Sequence, residues 1–514
     1  MFTAPRQPRL ARAGCGLAMV LVACVEPGLE PELAISVSLT ENPDNPFSAW
    51  ALIEADRDVL ARLEYGEDGS WDRSAPPLAL RAGEPVQQLV LGLHAGTTTE
   101  LQLEASDGTF RWTLPAGSWD TAPLAEDWAN CEASSPTDLA LFDASEAVCT
   151  NGPPTDDGLA ITCFDRRGRP FWSLSEPGES LFLMRPLMQG GFAVGAISST
   201  RILLYDHASQ LQGDISALDL EGRTRFAHSF VNPHGLLQIA DGPWAGSLGL
   251  LTTNSEIMDD GMERVGSGIV VYDHVNDEVL WDWSILGEDD GQPLDPVLAA
   301  HERCELDPYC MHANDLVHGV ADDDEQFFWF NLNGVSQVVQ VNTTTDAVDW
   351  HLGAAGDFEL VDDLDAEAPT PLEPAAWMYN AHGLEIQSHS DGRTRVLLFD
   401  NGNGRPDGAP EHSRVIELSV DVDTMQAAPQ FTYGSADTGD PAWFFADMGG
   451  DADKLPDQDG VLFLKGDEDV FIAEIGYPDG GERWRLSCPD WMGSYRLAHF
   501  PSLYETTWWY DVER

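Results

Sequence analysis

Short apolar runs separated by polar turns dominate the chain, and helical periodicity is weak almost everywhere. From about Asp138 onward, an apolar strand ending near Asp or Asn is followed by a polar turn and by a strand that often carries an aromatic residue. Such units recur irregularly, roughly every 50 to 75 residues, at 159–172, 216–226, 269–281, 338–350, 415–431 and 470–484. Units of this kind bury their open faces by stacking around an axis, so the pattern predicts a six-bladed β-propeller, with seven blades as the alternative.

A different pattern fills residues 33–117. Apolar and polar residues alternate in short runs broken by turn residues, at Ala34–Leu39, Ala49–Ile53, Leu60–Tyr65, Gln88–Leu91 and Thr99–Glu104. Strands at this spacing predict a small β-sandwich of the fibronectin III or Ig-like type. The fold class expected is therefore all-β, with the sandwich at 33–117 followed by the propeller at 118–514.

The N-terminus has the layout of a signal peptide. Three arginines precede an apolar run from Ala13 to Ala23, and no acidic residue appears before Glu26. The run is too short to remain as a transmembrane helix, so we expect residues 1–23 to be removed on export. No later stretch is long enough and apolar enough to span a bilayer.

The apolar run ends in a sequence that resembles a bacterial lipobox, Leu21–Cys24. The resemblance implies that Cys24 is the lipidated first residue of the mature chain and that residues 24–32 are a tether. Ordinary cleavage with an incidental Cys24 is the alternative. Because no aspartate follows the cysteine, similarity to lipoprotein sorting rules favours anchoring at the outer membrane, on its periplasmic face or at the cell surface.

Export makes disulfides available to the remaining cysteines. The sequence does not determine how Cys131, Cys149, Cys163, Cys304, Cys310 and Cys488 pair. Cys304 and Cys310 are close enough to close one loop, and we favour that pair. A zinc site is the rival interpretation, but no Cys-x-x-Cys spacing occurs.

The chain is strongly acidic, with 87 Asp plus Glu against 27 Lys plus Arg and a formal net charge of −60. This charge repels nucleic acid and anionic lipid headgroups. An anionic substrate would need a local concentration of positive groups or donors. Calcium is an alternative around Asp451, Asp453, Asp457 and Asp459, but their spacing does not match an EF-hand loop. We assign no metal and no cofactor.

Three histidines stand just before apolar segments, at the same phase of successive predicted units: His234, His312 and His382. Any one of them alone is better explained as a structural histidine. Loops at one end of a propeller converge on its central channel, however, so histidines in phase on successive blades favour a shared functional site.

From about Gly117 to the C-terminus, the chain resembles the bacterial arylsulfate sulfotransferases that use no nucleotide sulfate donor. His312–Asn314 resembles the His-Ser/Ala-Asn element of that family, and Asn380–Gly383 stands where the family has Gln-His-Asp. Further motifs follow in the family's order: Asp349–Gly353 (Val-Trp-x-Leu-Gly), Phe399–Gly402 (Phe-Asp-Asn-Gly), Ser413–Val415 (Ser-Arg-Val), Tyr495–Leu497 (Tyr-Arg-Ala) and Ser502–Tyr504 (Ser-Leu-Tyr).

The resemblance implies an enzyme that moves a sulfuryl group from a phenolic sulfate ester to a phenolic acceptor through a sulfohistidine. His382 would attack the sulfur, since neutral imidazole is a competent nucleophile near pH 7. His312 and His234, with Asn314, would hold the sulfuryl oxygens or protonate the leaving phenolate.

The chain departs from the family pattern at three points. Asn333 stands where the family has an arginine, Gly383 replaces an aspartate, and the usual His-His-Asp is reduced to 233–235. By its position in the pattern, Asn333 is kept with Asn314 and Arg414 as a candidate substrate-binding residue. A lost oxyanion donor typically costs roughly 3 kcal/mol, although Arg414 is a candidate replacement. We therefore keep two alternatives, a catalytically impaired, lipid-anchored binding scaffold and an aryl sulfate hydrolase.

Overall fold

The computed structural model describes residues 19–22, 32–123, 131–135, 146–155, 158–226, 228–257, 263–286, 304, 307, 309–320, 325–388, 393–406, 409, 411–434, 444–455, 459–489, 491 and 493–504. The chain divides into two compact units, residues 1–124 and 125–514. The described residues are almost all in strands and turns, which confirms the all-β class. No helix among them is long and apolar enough to cross a membrane.

The first unit consists of antiparallel strands. In chain order they are β1 (Met19–Val22), β2 (Ala34–Glu41), β3 (Ala49–Ala55), β4 (Val59–Gly66), β5 (Arg73–Ser74), β6 (Leu78–Leu80), β7 (Val86–Val90), β8 (Thr98–Ser106) and β9 (Arg111–Asp120). They form one sheet in the order β1-β2-β3-β7 and another in the order β5-β4-β8-β9, with β6 also paired to β4. The strands predicted between residues 34 and 104 are confirmed, and β9 continues past residue 117.

Alternation explains why these segments are strands. In β4, Val59, Ala61 and Leu63 are buried while Leu60 and Arg62 lie on the other face. Because successive side chains of a strand point to opposite faces, this pattern buries one face of the sheet and leaves the other to solvent.

The second unit is also built from strands. They are β10 (Glu132–Ser134), β11 (Ala147–Thr155), β12 (Gly158–Phe164), β13 (Pro170–Leu174), β14 (Leu181–Pro186), β15 (Phe192–Ala196), β16 (Arg201–Tyr205), β17 (Leu211–Ile215), β18 (Phe230–Gln238), β19 (Leu248–Ile257), β20 (Glu263–Asp273), β21 (Glu278–Ser284), β22 (Ala313–Val320), β23 (Gln326–Leu332), β24 (Gln337–Asn342), β25 (Ala347–Leu352), β26 (Glu359–Leu360), β27 (His382–Ser388), β28 (Thr394–Asp400), β29 (Arg414–Asp421), β30 (Gln426–Gly434), β31 (Asp451–Lys454), β32 (Gly460–Lys465), β33 (Val470–Gly476), β34 (Glu482–Cys488) and β35 (Leu497–Phe500). The helical segments are α1 (Ala217–Leu220) and two 3-10 turns, Asn333–Val335 and Pro374–Ala376.

Each sheet of the second unit is a four-stranded antiparallel meander, and two of the sheets gain a fifth strand at the outer edge. Among the described residues the sheets are β14 to β17, β18 to β21, β22 to β25, β27 to β30 with β26, β31 to β34 with β10, and β35-β11-β12-β13. One strand at the edge of each sheet contacts the corresponding strand of the next sheet, in the cyclic order β14, β18, β22, β27, β31, β35 and back to β14. We call these six the inner strands.

The hydrophobic core of this unit lies between successive sheets. One cluster joins Leu251 and Trp283 of one sheet to Phe328 and Phe330 of the next. Because sheets cover one another on both faces, a strand such as β33 is buried at every residue, and its sequence is apolar except for Glu474. Five of the six repeat units recognised in the sequence correspond to the third and fourth strands of a sheet.

The unit at 216–226 is the exception, and the prediction of a strand there is wrong. Residues Ala217–Leu220 form α1, because the Asp219 carboxylate accepts hydrogen bonds from the backbone N–H (2.8 Å) and hydroxyl (2.7 Å) of Ser216. This reciprocal arrangement favours a helix start. The corresponding strands of that sheet are β16 and β17, which lie immediately before α1.

The N-terminal and C-terminal strands of the second unit pair with each other in two of its sheets. The last strand, β35, pairs with β11 and so completes the first sheet from the C-terminus, while β10 pairs with β34 of the last sheet. A disulfide between Cys131 and Cys488 fastens the second of these pairings. The described residues contain two further disulfides, Cys149–Cys163 and Cys304–Cys310, so the favoured pairing of Cys304 with Cys310 is confirmed.

A buried network of charged and polar side chains lies beside the pairing of β35 with β11. Glu146, just before β11, receives hydrogen bonds from Arg166 (2.5 Å) and from His499 on β35. Arg166 also lies 3.0 Å from Glu474 on β33. Burial alone would raise the pKa of Glu146, but the hydrogen bond from His499 and the charge of Arg166 lower it to about 2.

Replacing Glu146 should destabilise the closed ring. We expect Glu146→Gln to lower the unfolding free energy of the second unit by about 3 kcal/mol at pH 7, because buried Arg166 would keep only Glu474 as a carboxylate partner. The depressed pKa contributes stability above about pH 4.5 that is lost as the pH falls toward 2, so the difference from wild type should shrink across that window. Urea midpoints at several pH values measure this.

A matched control is Asp277→Asn, which removes an exposed ion pair with Arg223 and should leave the midpoint nearly unchanged. A Glu146→Gln midpoint equal to wild type at pH 7 would contradict the role assigned to this network.

Candidate active site

The three histidines lie on neighbouring inner strands. His234 is within β18, His312 directly precedes β22, and His382 is the first residue of β27. These strands contact one another in that order. The histidines that the sequence placed in phase are thus carried by equivalent strands of three successive sheets.

A shift in strand-pairing register, a β-bulge or a larger irregularity, lies at or beside each histidine. The pairing register shifts between Val231 and Leu236 in β18, between Ala313 and Leu316 in β22, and between His382 and Leu384 in β27. Bulges bend a strand and re-aim its side chains, and they are common beside active sites. They allow residues that begin a strand to point out of the regular pleat.

His234 and His312 contact each other directly. The Nδ1 atom of His234 lies 3.1 Å from Nε2 of His312, and the rings are nearly perpendicular. Burial, followed by the charges of His312, Arg496 and His382, places the pKa of His234 well below its usual value. Burial also lowers the pKa of His312. The two rings therefore form a neutral pair at pH 7, in which one ring donates an N–H to the other.

His382 is held in one tautomer by Asn401. Its Nδ1 atom lies 2.7 Å from Oδ1 of Asn401, whose Nδ2 donates to the carbonyls of Ala446 (2.9 Å) and Gly449 (2.8 Å). Because those carbonyls fix the orientation of the amide, Nδ1 must carry the hydrogen and Nε2 the lone pair.

Burial is also the main influence on the acidity of His382. Together with the nearby charge of Arg496, it lowers the pKa of His382 to about 3. The imidazole is neutral at every ordinary working pH, which is the form that acts as a nucleophile.

Tyr495 connects the histidines. Its ring centroid lies 4.7 Å from that of His234 and 5.3 Å from that of His382. Phe182, on the inner strand β14, packs against Tyr495 at 5.0 Å and stacks on His234 at 5.9 Å. The site thus combines three neutral imidazoles with two aromatic rings.

Three asparagine amides converge on the carbonyl oxygen of Ala381, the residue before His382. Asn314 donates at 3.4 Å, Asn333 at 3.3 Å, and Asn331 makes a shorter contact. Asn331 also donates to Oδ1 of Asn314 at 3.0 Å. The predicted ligands Asn314 and Asn333 therefore lie beside the histidine site, where they hold the backbone that carries His382.

Arg414 is not brought into contact with the histidines. Its guanidinium binds the Asp400 carboxylate at 2.7 Å and the carbonyls of Ala376 (2.6 Å) and Trp377 (3.0 Å). Arg405 binds the same carboxylate at 2.5 Å. The contacts of Arg414 are those of a structural residue that anchors the segment before β27.

Cys304–Cys310 closes a loop that ends two residues before His312. Cys310 packs against Gly334, where an added Cβ would lie only 2.3 Å from the Cys310 carbonyl oxygen. The disulfide therefore helps to hold His312 beside the 3-10 turn that carries Asn333.

Sequence reasoning did not assign Tyr495, Arg496 or Asn401 to the site. Tyr495 and Arg496 appeared only within a motif near the C-terminus, and Asn401 only within Asp-Asn-Gly. The signal that could have found them is the combination of those motifs with a closed ring, because closure returns β35 to the inner strands.

Other expectations fall partly outside the described residues. Cys24 and Asp457 lie outside them, as do residues 1–18 and 23–31, while residues 19–22 form β1. Asp451 begins β31, and Asp459 pairs with Arg483 at 2.8 Å. Over the described ranges no group of three or more candidate metal ligands occurs.

The arylsulfotransferase family model matches residues 162–488, which include all three histidines. The chain belongs to the arylsulfotransferase family. A search of curated proteins gave no match. The match to the family ends before Tyr495 and Arg496.

Several solved structures are similar at low identity. A protein of unknown function from Bacteroides caccae is 9% identical, with a TM-score of 0.36 over 69% of this chain and 99% of that one. A periplasmic gluconolactonase from Pseudomonas aeruginosa is 13% identical, with a TM-score of 0.33 over 86% of this chain and 99% of that one. Hydrazine synthase from Kuenenia stuttgartiensis is 10% identical, with a TM-score of 0.35 over 69% of this chain and 95% of that one. TM-scores this low assign no activity.

The fixed tautomer of His382 is testable without an activity assay. We expect ¹⁵N NMR of histidine-labelled protein to show protonated Nδ1 and unprotonated Nε2 for His382 between pH 5 and 8. Asn401→Ala should weaken this preference, because Nδ1 would lose the amide oxygen that accepts its hydrogen. Asn403→Ala, on the same loop, is the control and should leave the spectrum unchanged. A His382 signal that titrates near pH 6.5 in the wild type would refute the assignment.

Proposed function

We propose that this protein transfers a sulfuryl group from a phenolic sulfate ester to a phenolic acceptor, through a sulfohistidine at His382. The observation that carries the proposal is the state of His382, a buried neutral imidazole whose Nδ1 is bound by Asn401 and whose Nε2 keeps its lone pair. Membership in the arylsulfotransferase family supports the same reaction class.

In the first half-reaction, Nε2 attacks sulfur as the bond to the phenolic oxygen breaks, and the bonding electrons leave with the phenolate. The neutral pair of His234 and His312 offers an N–H to the departing oxygen. In the second half-reaction, the acceptor phenol gives its proton to one of these imidazoles while its oxygen attacks the sulfur. Nε2 recovers its lone pair, and the new imidazolium returns its proton to solvent. Two covalent steps of this kind predict ping-pong kinetics.

The neutral histidines suit this substrate class. Phenolic sulfate esters present an aryl ring and a negatively charged sulfuryl group, and the rings of Phe182 and Tyr495 offer apolar surface beside the imidazoles. Asn314 and Asn333 remain candidate substrate ligands, although both amides bind the Ala381 carbonyl in this structure.

We also propose a six-bladed β-propeller for the second unit and a fibronectin III or Ig-like sandwich for the first. The cyclic contacts of the six inner strands and the core between successive sheets support the propeller. The two antiparallel sheets of the first unit, each with one buried face, support the sandwich.

For location, we propose export followed by lipid anchoring through Cys24 at the outer membrane. Three disulfides are consistent with an oxidising compartment. Cleavage before Cys24 would remove β1, so the mature protein would begin with a different edge strand, β2.

One observation favours a second candidate, the catalytically impaired scaffold. Asn333 stands where the family has an arginine, and its amide is engaged by the Ala381 carbonyl. A site without a positive group in contact with the sulfuryl oxygens could bind an aryl ligand without turning it over.

Purified protein with 4-nitrophenyl sulfate separates these functions. We expect nitrophenolate release to depend on added phenol, and His382→Ala to reduce it by about a thousandfold or more, because the covalent step loses its nucleophile. His274→Ala is the control, since that ring contacts Gln189 away from the site. Release without an acceptor would instead indicate hydrolysis, and no release by the wild type would leave the scaffold function.

The lowered pKa of His382 predicts the pH dependence. Protonation removes the nucleophilic lone pair, and with a pKa of about 3 this loss begins far below the usual histidine range. We therefore expect kcat/KM for 4-nitrophenyl sulfate to stay nearly constant from pH 5 to 7, with any acid limb due to His382 below pH 5. Tryptophan fluorescence at each pH checks that the fold persists. An acid limb centred near pH 6.5 would contradict the burial argument.

A further inference from the structure

The sequence lacks an arginine at position 333, yet a guanidinium is buried beside the histidines. Arg496 is 2% exposed and directly follows Tyr495, the ring that contacts His234 and His382. Its charge acts on both of those histidines. In a chain with a net charge of −60, a fixed cation at this position is the feature an anionic substrate requires.

Arg496 binds the backbone of several segments. Its Nη1 donates to the carbonyls of Gly450 (2.9 Å) and Tyr495 (3.2 Å), and its Nη2 donates to the carbonyl of Asn314. The guanidinium also lies 4.4 Å from the centre of the Tyr495 ring. One side chain thereby fixes the ends of β22, β31 and β35 relative to one another, and with them the residues that surround the histidines.

Two buried acidic residues lie near this charge, and one of them, Asp315, also fastens the strand that carries His382. Asp315 lies 3.7 Å from Nη2 of Arg496 and accepts the N–H of Leu384 at 2.7 Å. Asp451 accepts the N–H of Leu497 at 2.9 Å. Since an unpaired buried charge costs several kcal/mol, Asp315 helps the cation to remain in the interior, whereas burial raises the pKa of Asp451 despite the charge of Arg496.

The Asp451 carboxylate approaches the backbone of Gly383 closely. The φ of Gly383 is +61°, and an added Cβ would lie 2.2 Å from Oδ1 of Asp451. The residue after His382 must therefore lack a side chain, because the Asp451 carboxylate from the next sheet occupies that space. The aspartate that the family pattern places at 383 has a spatial counterpart here at 451.

Arg496 influences the histidines through neighbouring residues rather than by direct contact with them. Tyr495 packs against its guanidinium and against the rings of His234 and His382, and Arg496 and Phe182 line the same small cavity. The side chain therefore positions the histidines through Tyr495 and Asn314, and its charge reaches the site through a water-poor interior where electrostatic effects are strong.

Resting on the sulfotransferase function proposed above, we propose that Arg496 is the positioning cation of this site: with Asp315 and Asp451 it holds the histidine-bearing strands and supplies the positive field for the sulfuryl group that Asn333 does not. Arg496 and Asp451 would thus position the histidines from sheets other than the three that carry them.

The test uses the full chain with Arg496→Met and Arg496→Lys. In Arg496→Met we expect kcat/KM for 4-nitrophenyl sulfate to fall by about a hundredfold or more, and ¹³C NMR of labelled histidines to show higher pKa values for His382 and His234, because a nearby positive charge has gone. Arg496→Lys keeps the charge but loses the planar fork, so its kcat/KM should fall about tenfold or more with the histidine pKa values still low.

Arg405→Lys is the matched control. Arg405 is also buried, and it binds Asp400 and the carbonyls of Ala375 and Trp377. This variant should lose stability while keeping the histidine titration and kcat/KM of the wild type. Circular dichroism and thermal melting establish that each variant is folded.

Unchanged histidine titration in folded Arg496→Met would overturn the proposal. If that variant does not fold, Arg496→Lys decides, and wild-type kcat/KM in it would be equally decisive against the proposal. The NMR measurement requires no turnover. A wild-type protein that transfers no sulfuryl group therefore refutes the proposed function, while a shift in the Arg496→Met titration still supports the placement of the cation.

Discussion

Pairing of the last strand with the first sheet is the interaction on which the rest of this molecule depends. β35 supplies the inner strand of a sheet whose other strands lie more than 300 residues earlier, with Leu497 opposite Thr150 and Phe500 opposite Ala147. The same pairing places Tyr495 and Arg496 beside His234 and His382, which two other sheets carry. The fold and the candidate site thus share one closing contact, and the ionic network around Glu146 and the Cys131–Cys488 disulfide reinforce it.

Charge is distributed unevenly between surface and centre. The chain as a whole is strongly acidic, but around the histidines burial keeps the imidazoles neutral, and the Arg496 guanidinium lies 3.7 Å from the Asp315 carboxylate. Neutral imidazoles retain nucleophilic lone pairs, and a fixed cation favours a sulfuryl group. The surrounding negative surface does not oppose this arrangement strongly, since surface charges are screened by salt over about 10 Å.

Much of this organisation could be predicted from the sequence, because period and composition act locally. The all-β class, the strands of the first unit and the Cys304–Cys310 pair followed from alternation and spacing, and the phase of His234, His312 and His382 placed them on equivalent strands. The helix at 217–220 was missed because Ser216 and Asp219 form a local hydrogen-bonded start that a strand pattern does not reveal. Arg414 was favoured for its charge, and only the structure shows that Asp400 already pairs with it. Arg496 and Asp451 act through contacts between segments that are distant in the chain. The register shifts beside the histidines depend on how neighbouring strands pair. Residue type alone predicts neither the distant contacts nor the register shifts.

Tyr495 and Arg496 follow all three histidines in the chain, and this order has a consequence for how the candidate site is assembled. Synthesis proceeds from the N-terminus, so a growing chain contains His234, His312 and His382 before it contains Tyr495 and Arg496. A partly synthesised chain can form several of its sheets before its candidate site is complete. The contacts of the Tyr495 ring and the Arg496 guanidinium with His234 and His382 can therefore form only after all three histidines have been synthesised.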